Sequence, residues 1–262
     1  MSTSRVKTLV IVVLVIINAF FLTFIVWGRV SSSIEHRETL EEISGILERN
    51  GITVKADDIH DSPLLSEAEI VRDTGREQAI ASALLGDVSQ PDSGGGSISK
   101  FESPTGSAVF SGTGEFTIDL TGGEYTASGD TVNEAKKLLG LMDMQYTDIQ
   151  TTQRDGSEDV SATFTYNGSS IFDCRIDLIF ENGTLTQVNG KYPTGIENSP
   201  GGAVQNTAPT AVMAFLSDVK SGNVACSSIS DIRSGYDTQF EVFSGKLIPV
   251  WQIATDTGTY YY

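Results

Sequence analysis

Apolar and polar positions along this chain follow three different rhythms, and each predicts a different element. The first is no rhythm at all. From Thr8 to Trp27 the sequence TLVIVVLVIINAFFLTFIVW carries no charge, and Asn18 is its one amide. At ~1.5 Å per residue, twenty helical residues cover the ~30 Å of a bilayer's hydrocarbon core. The run therefore predicts a short cytoplasmic tail (1–7) and a transmembrane helix (8–28). Two other readings compete with it. A cleaved signal peptide has an apolar region of roughly 7–15 residues and a small-x-small cleavage site, whereas this run is longer and ends in Ile25-Val26-Trp27. A buried helix of a soluble core is rarely apolar for so long. Arg5 and Lys7 precede the run and Trp27 closes it, which favours a cytoplasmic N-terminus and an extracellular C-terminal domain.

The second rhythm is the helical one. Leu40, Ile43, Ile46 and Leu47 form a stripe within residues 34–50, stopped by Asn50-Gly51. Ile52 to Val54 reads as a short strand. Ser66 and Glu69 resemble a capping box, so a helical region is expected from Ser66 to Leu85, ended by Gly86. A helix capped by Asp130 or Thr131 should run to Met144, and another, with Pro209 in its first turn, from Ala208 to Ser221.

The third rhythm has period two. Residues 98–120 alternate between Gly-rich turns, as antiparallel strands do. Val160–Tyr166, Ile171–Phe180 and Thr184–Val188 are separated by Asn167-Gly168 and Asn182-Gly183. Asn-Gly favours type I′ turns, because both central residues need positive φ, so a three-stranded meander is expected. The same Asn residues lie in glycosylation sequons, but the turn accounts for them without sugar. Further strands are expected at 229–233, 240–243, 246–255 and 259–262, with a turn at Asp256-Thr257-Gly258. A helix followed by antiparallel strands thus recurs three times. The expected class is α+β: an anchor followed by an ectodomain of repeated helix-plus-antiparallel-sheet units. The expected segments are a juxtamembrane helical region and linker (29–95), a first α+β unit (96–200) and a C-terminal unit (201–262). Ser89–Gly96 (SQPDSGGG) is the clearest connection.

Charge narrows the partners. Of 17 Lys and Arg, Arg5, Lys7 and Arg29 flank the anchor, leaving 14 against 34 acidic residues beyond it, a net of −20. Such a surface repels phosphate backbones, so nucleic acid is excluded as a partner. Cys174 and Cys226 leave a bridge and two reduced thiols both open. The two histidines, His36 and His60, lie in the first quarter of the chain, and no nucleophile motif accompanies them. Asp57-Asp58-Ile59-His60-Asp61 lacks metal-ligand spacing and reads as a solvated acidic loop, and Asp155–Asp159 reads as a turn rather than a calcium loop. No catalytic residue, metal ligand or cofactor is expected. Asn18, in mid-membrane, is a candidate contact to another transmembrane helix, with a bond to its own helix as the alternative.

The closing residues Gly235-Tyr236, Leu247-Ile-Pro249-Val-Trp251-Gln-Ile253 and Gly258-Thr-Tyr260-Tyr-Tyr262 resemble the end of YycI-type regulatory proteins of the YycH/YycI family. Ser4-Arg5-x-Lys7-Thr8 before an apolar run containing Asn18 is similar to that family's opening, and Tyr166, Gly168, Ile171 and Phe172 to its middle. The resemblance implies PepSY-like units in the ectodomain, with Tyr236, Pro249, Trp251, Ile253 and Tyr260 on the family-motif strands. It implies a non-enzymatic accessory protein of a Gram-positive cell-wall two-component system, whose partners are a sensor histidine kinase and a sister YycH-like protein. A homodimer is open as well. The alternative function is a PepSY-type binder or inhibitor of an exported peptidase.

Overall fold

The computed structural model describes residues 41, 43–55, 58–60, 64–89, 96–127, 129–199, 201–240 and 244–262. The apolar run 8–28, Asn18, His36, Asp57, Asp61 and most of the 89–96 linker lie outside them. Among the described residues no helix is long and apolar enough to cross a membrane. The class is α+β, with one large sheet and four helices among these residues.

The helical segment α1 covers 43–49. Strand β1 (Ala68–Val71) follows where the sequence predicts the start of a helix. Ser66 is no N-cap. It forms an antiparallel bridge with Val204. The cap falls on Asp73 instead, whose side chain accepts from the Arg76 N–H at 3.0 Å and opens α2 (Thr74–Leu85). The local capping-box signal loses here to tertiary pairing, since β1 has β11 on one side and β9 on the other.

Three short strands come next: β2 (Ile98–Ser103), β3 (Gly106–Ser111) and β4 (Glu115–Leu120). Helix α3 (Thr131–Leu141) begins at Asp130, which accepts from the Asn133 N–H at 2.9 Å. The expected meander is present as β6 (Ser157–Tyr166), β7 (Ser169–Glu181) and β8 (Thr184–Lys191). Both Asn-Gly turns have positive φ at both residues, 50° and 82° at 167–168 and 50° and 80° at 182–183, as type I′ geometry requires. An unexpected strand, β5 (Tyr146–Arg154), flanks β6. After β9 (Ile196–Asn198) and α4 (Ala208–Lys220), the chain ends in β10 (Ile229–Phe240), β11 (Ser244–Thr255) and β12 (Thr259–Tyr261). The turn at 256–258 joins β11 to β12, as expected.

The strands form one twelve-stranded sheet whose main path is β2-β3-β4-β8-β7-β10-β11-β1-β9. Its two halves meet at a single parallel bridge, Ile171 to Tyr236. Residues 68–71 and 196–198 pair within the C-terminal half although they lie in segments upstream of residue 201. Two cores sit on this frame. The larger packs α2 and α3 onto the first half and reaches Tyr236 and Leu247 in the second. The smaller packs Leu47 of α1 and Phe215 of α4 against Ile232, Trp251 and Ile253. Each such side chain contributes ~1.5–3 kcal/mol by leaving water.

Candidate interaction surface

The five family-motif residues are brought together, but mostly as core. Tyr236 faces Pro249 across β10–β11, and Ile253 pairs with Ile232 on one side and Tyr260 on the other. Trp251 is 3% exposed and donates its indole N–H to the Asn206 carbonyl at 2.7 Å. Tyr260 packs on Phe215, ring centres 6.0 Å apart. Cys174 and Cys226 are both free thiols. Cys174 belongs to the larger core and Cys226 lies against the smaller one, so the fold keeps them apart. Burial raises the pKa of both, that of Cys174 well above the usual thiol range, which leaves Cys174 an inert core residue.

Polar chemistry gathers instead along the line where the two halves of the sheet meet. Arg233 of β10 is its centre. Its Nε donates to Gln252 Oε1 at 2.9 Å and lies 3.1 Å from Asp231 Oδ2. Its Nη1 reaches Asp148 Oδ2 at 3.0 Å, a carboxylate delivered by the far strand β5. Asp148 adopts φ of 53° at a bulge in β5, which turns its side chain out of the ladder. The guanidinium also stacks over Phe172 at 5.5 Å, and Phe172 packs on Tyr261 at 5.6 Å. Gln252 Nε2 donates to the Tyr261 hydroxyl at 3.1 Å. Four strands and a bulge thus meet on one guanidinium. Tyr261, at 47%, and Asp148 are exposed members of the group.

The neighbouring segment 58–60 joins the same network. Ile59 forms a parallel bridge with Ile232, and the His60 N–H donates to the Ile232 carbonyl at 2.8 Å. His60 Nε2 sits 3.2 Å from Asp231 Oδ1 without hydrogen-bond alignment, so that buried oxygen keeps no hydrogen-bond partner among the described residues. Burial therefore pushes the Asp231 carboxyl above the usual range, against the pull of Arg233 and His60.

A second polar stitch lies one turn of the ladder along. Asp173 of β7 accepts from the Thr238 N–H at 3.0 Å and from the Thr238 hydroxyl, and it pairs with Lys191. Lys191 in turn lies over the Phe240 ring at 5.0 Å. The adjoining Asp237 carboxyl is raised, first by burial and then by the like charge of Asp173. Side chains therefore supplement the single backbone bridge between the halves. The charged members, Asp148, Asp173, Lys191, Asp231 and Arg233, do not stand out in the sequence, since each is an isolated charge within a strand. The one signal is Gly235: a Cβ there would meet Phe172 Cζ at 2.5 Å.

No group of three or more His, Cys, Asp or Glu suited to hold a metal ion is present among the described residues. No family model matches the chain, and no curated relative matches it. Among solved structures it is similar to the Bacillus megaterium YpeB C-terminal domain, at 9% identity and a TM-score of 0.32, over 73% of this chain and 91% of that one. A likeness that loose carries no argument about fold or function.

Proposed function

We propose that this chain is a non-catalytic, membrane-anchored accessory protein of the YycH/YycI type. In this reading it modulates a cell-wall-linked sensor histidine kinase in a Gram-positive bacterium through protein–protein contacts. The helices and antiparallel strands of the ectodomain make up PepSY-like units. The observation that carries the reading is the uninterrupted apolar run Thr8–Trp27, preceded by Arg5 and Lys7, ahead of a folded α+β domain. It makes the chain a single-pass protein with its ectodomain beside the sensor domains of membrane kinases. The closing motif, whose Tyr236, Pro249, Trp251, Ile253 and Tyr260 interlock on three adjacent strands, supports the family assignment.

Two contacts follow from this reading. Asn18 bonds across to a kinase transmembrane helix, a contact of ~0.6–2 kcal/mol. The face around Tyr261, Arg233 and Asp148 meets the kinase sensor domain or the sister YycH-like protein. Modulation requires that these contacts differ between the kinase's two signalling states.

The test is crosslinking and pull-down of the full-length protein from native membranes, repeated with the anchor replaced by an unrelated helix and with Asn18→Leu. Recovery of a sensor kinase with the native anchor, lost on replacement, supports the membrane contact. Recovery with either anchor moves the contact to the ectodomain. Recovery of an exported peptidase and no kinase overturns the proposal in favour of a peptidase binder.

A further inference from the structure

The sheet has several edges, and one differs from the others. Strand β2 carries Lys100 and Glu102 and is bridged on its outer side by Ser89, whose N–H donates to the Glu102 carbonyl at 2.9 Å. Strands β9 and β12 are three residues each. Charges, covering segments and shortness are the usual protections of an edge. Strand β5 is nine residues long and pairs among the described residues with β6 alone. Gln150, Thr151, Thr152 and Gln153 are all exposed, with no charge or proline among them.

The ladder fixes which backbone groups of β5 are unused. The two-residue turn Asp155-Gly156 closes on the pair Arg154–Ser157, and the register continues through Thr152–Asp159 and Gln150–Ser161. In an antiparallel hairpin the residues flanking a two-residue turn bond each other, and bonded and unbonded pairs then alternate. Gln150 and Thr152 therefore spend their groups on β6, while Thr151 and Gln153 turn theirs outward. At the other end the bulge at Asp148 interrupts the edge, so the open stretch is confined to 150–154.

We infer that this edge pairs with the same edge of a second copy of the chain, antiparallel, with the two-fold axis through Thr152. In that register Thr151 of each copy faces Gln153 of the other, and the outward N–H and C=O groups satisfy one another. Thr152 meets Thr152 at the closely spaced, non-bonded position, a favourable cross-strand pair. Arg154 comes opposite Gln150 of the partner, so that at both ends of the junction a guanidinium donor faces an amide oxygen acceptor. Inside each copy Arg154 already pairs with Asp159 at 3.1 Å and Asp148 with Arg233 at 3.0 Å. The junction therefore sets no unpaired charge against another. This local match decides the occupant. The chain as a whole carries −17 and repels itself, but β5 carries one Asp and one Arg and is neutral. The sheet then continues through both copies. This inference stands without the kinase reading.

The register makes the test specific. Full-length chain in membrane vesicles is oxidised with a single cysteine added at Thr152→Cys, Gln150→Cys or Arg154→Cys. Unbonded facing residues have Cα atoms ~4.5 Å apart, within disulfide range. Thr152→Cys is expected to give a crosslinked homodimer. Gln150→Cys and Arg154→Cys are each expected to give none alone, but a crosslink when co-expressed. The unaltered chain, with Cys174 buried and Cys226 half-buried, sets the background. Thr151→Pro removes an outward N–H, which an edge strand tolerates, and should lower the Thr152→Cys crosslink about tenfold with the fold intact by circular dichroism. Absence of the Thr152→Cys dimer, equal crosslinking at all three positions, or a crosslink to a chain of different mass would each overturn the proposal.

Discussion

Glu77 and Arg72 offer the sharpest test of how the frame is held. Glu77 is 1% exposed in α2, and it receives both Arg72 Nε at 2.6 Å and Nη2 at 3.0 Å. The same guanidinium donates to the Gly96 carbonyl at 2.7 Å and to Ser99 Oγ at 2.9 Å. One buried fork thus ties the end of β1 to α2 and β2. In Glu77→Ala the guanidinium stays buried without its counter-charge. Breaking a buried pair in this way costs ~3–5 kcal/mol. Against a total stability of ~5–15 kcal/mol, that removes a large share. In Arg72→Met with Glu77→Leu no charge remains to be desolvated, and most of the loss should be recovered. The assay is urea unfolding of the full-length protein in detergent, followed by near-ultraviolet circular dichroism. The midpoint should fall steeply for Glu77→Ala and return towards its original value in the double variant. A loss below ~1 kcal/mol in the single variant, or no recovery in the double, would refute the reasoning.

Other predictions follow from the seam and the cores. Gly235→Ala drives a methyl group into Phe172 and the Ser170 carbonyl, both within 2.6 Å, and should cost ~1–3 kcal/mol of stability in the same assay. Trp251→Phe strips the Asn206 carbonyl of its indole donor and should lower stability by ~1–3 kcal/mol, measured by thermal unfolding. Asp237 has a raised carboxyl pKa, so the folded chain holds that proton more tightly than the unfolded chain does. Its contribution is fully present below the unfolded carboxylate range and is lost as pH rises through the raised folded value. Asp237→Asn should therefore flatten the stability–pH profile on its mildly acidic limb and raise stability at neutral pH. In thiol labelling, the half-buried Cys226 should react in the native protein, and Cys174 only after unfolding.

Much of the frame is readable from local signals. Asn167-Gly168 and Asn182-Gly183 dictate their turns because few other pairs accept two positive φ values. Asp130 and Pro209 mark helix starts for equally local reasons. Where the reading fails, distant partners decide. Ala68–Val71 is a strand because Ser244–Leu247 lies beside it, a fact no window around Ser66 contains. Strand β5 escapes notice because seven of its nine residues are polar and none of its side chains is fully buried. Strand β10 runs on past the expected 229–233 as far as Phe240, since Ser234-Gly235 interrupts the apolar pattern only to admit Phe172; residues 241–243 of the strand expected at 240–243 lie outside the described residues. The Arg233 network was illegible for a related reason. Pattern reading sends isolated charges to solvent, and only the three-dimensional convergence of β5, β7, β10 and β11 shows that these charges face each other.

The pairing of β1 with β11 also sets a schedule. A ribosome delivers β1 well before β11, and domains otherwise tend to settle in the order of synthesis. Ile70, at 3% exposure in the finished molecule, can meet Ile196 of β9 earlier but must wait for Gly245 before its second side is paired. Loop closure over most of the chain comes before any reward from that contact, which slows such folds. The first half of the sheet can mature meanwhile, because its strands pair among themselves. The newborn chain thus passes through a stage in which one half is finished and the other shows a sticky strand. A holdase, or a stalled partner, would find its target in that interval.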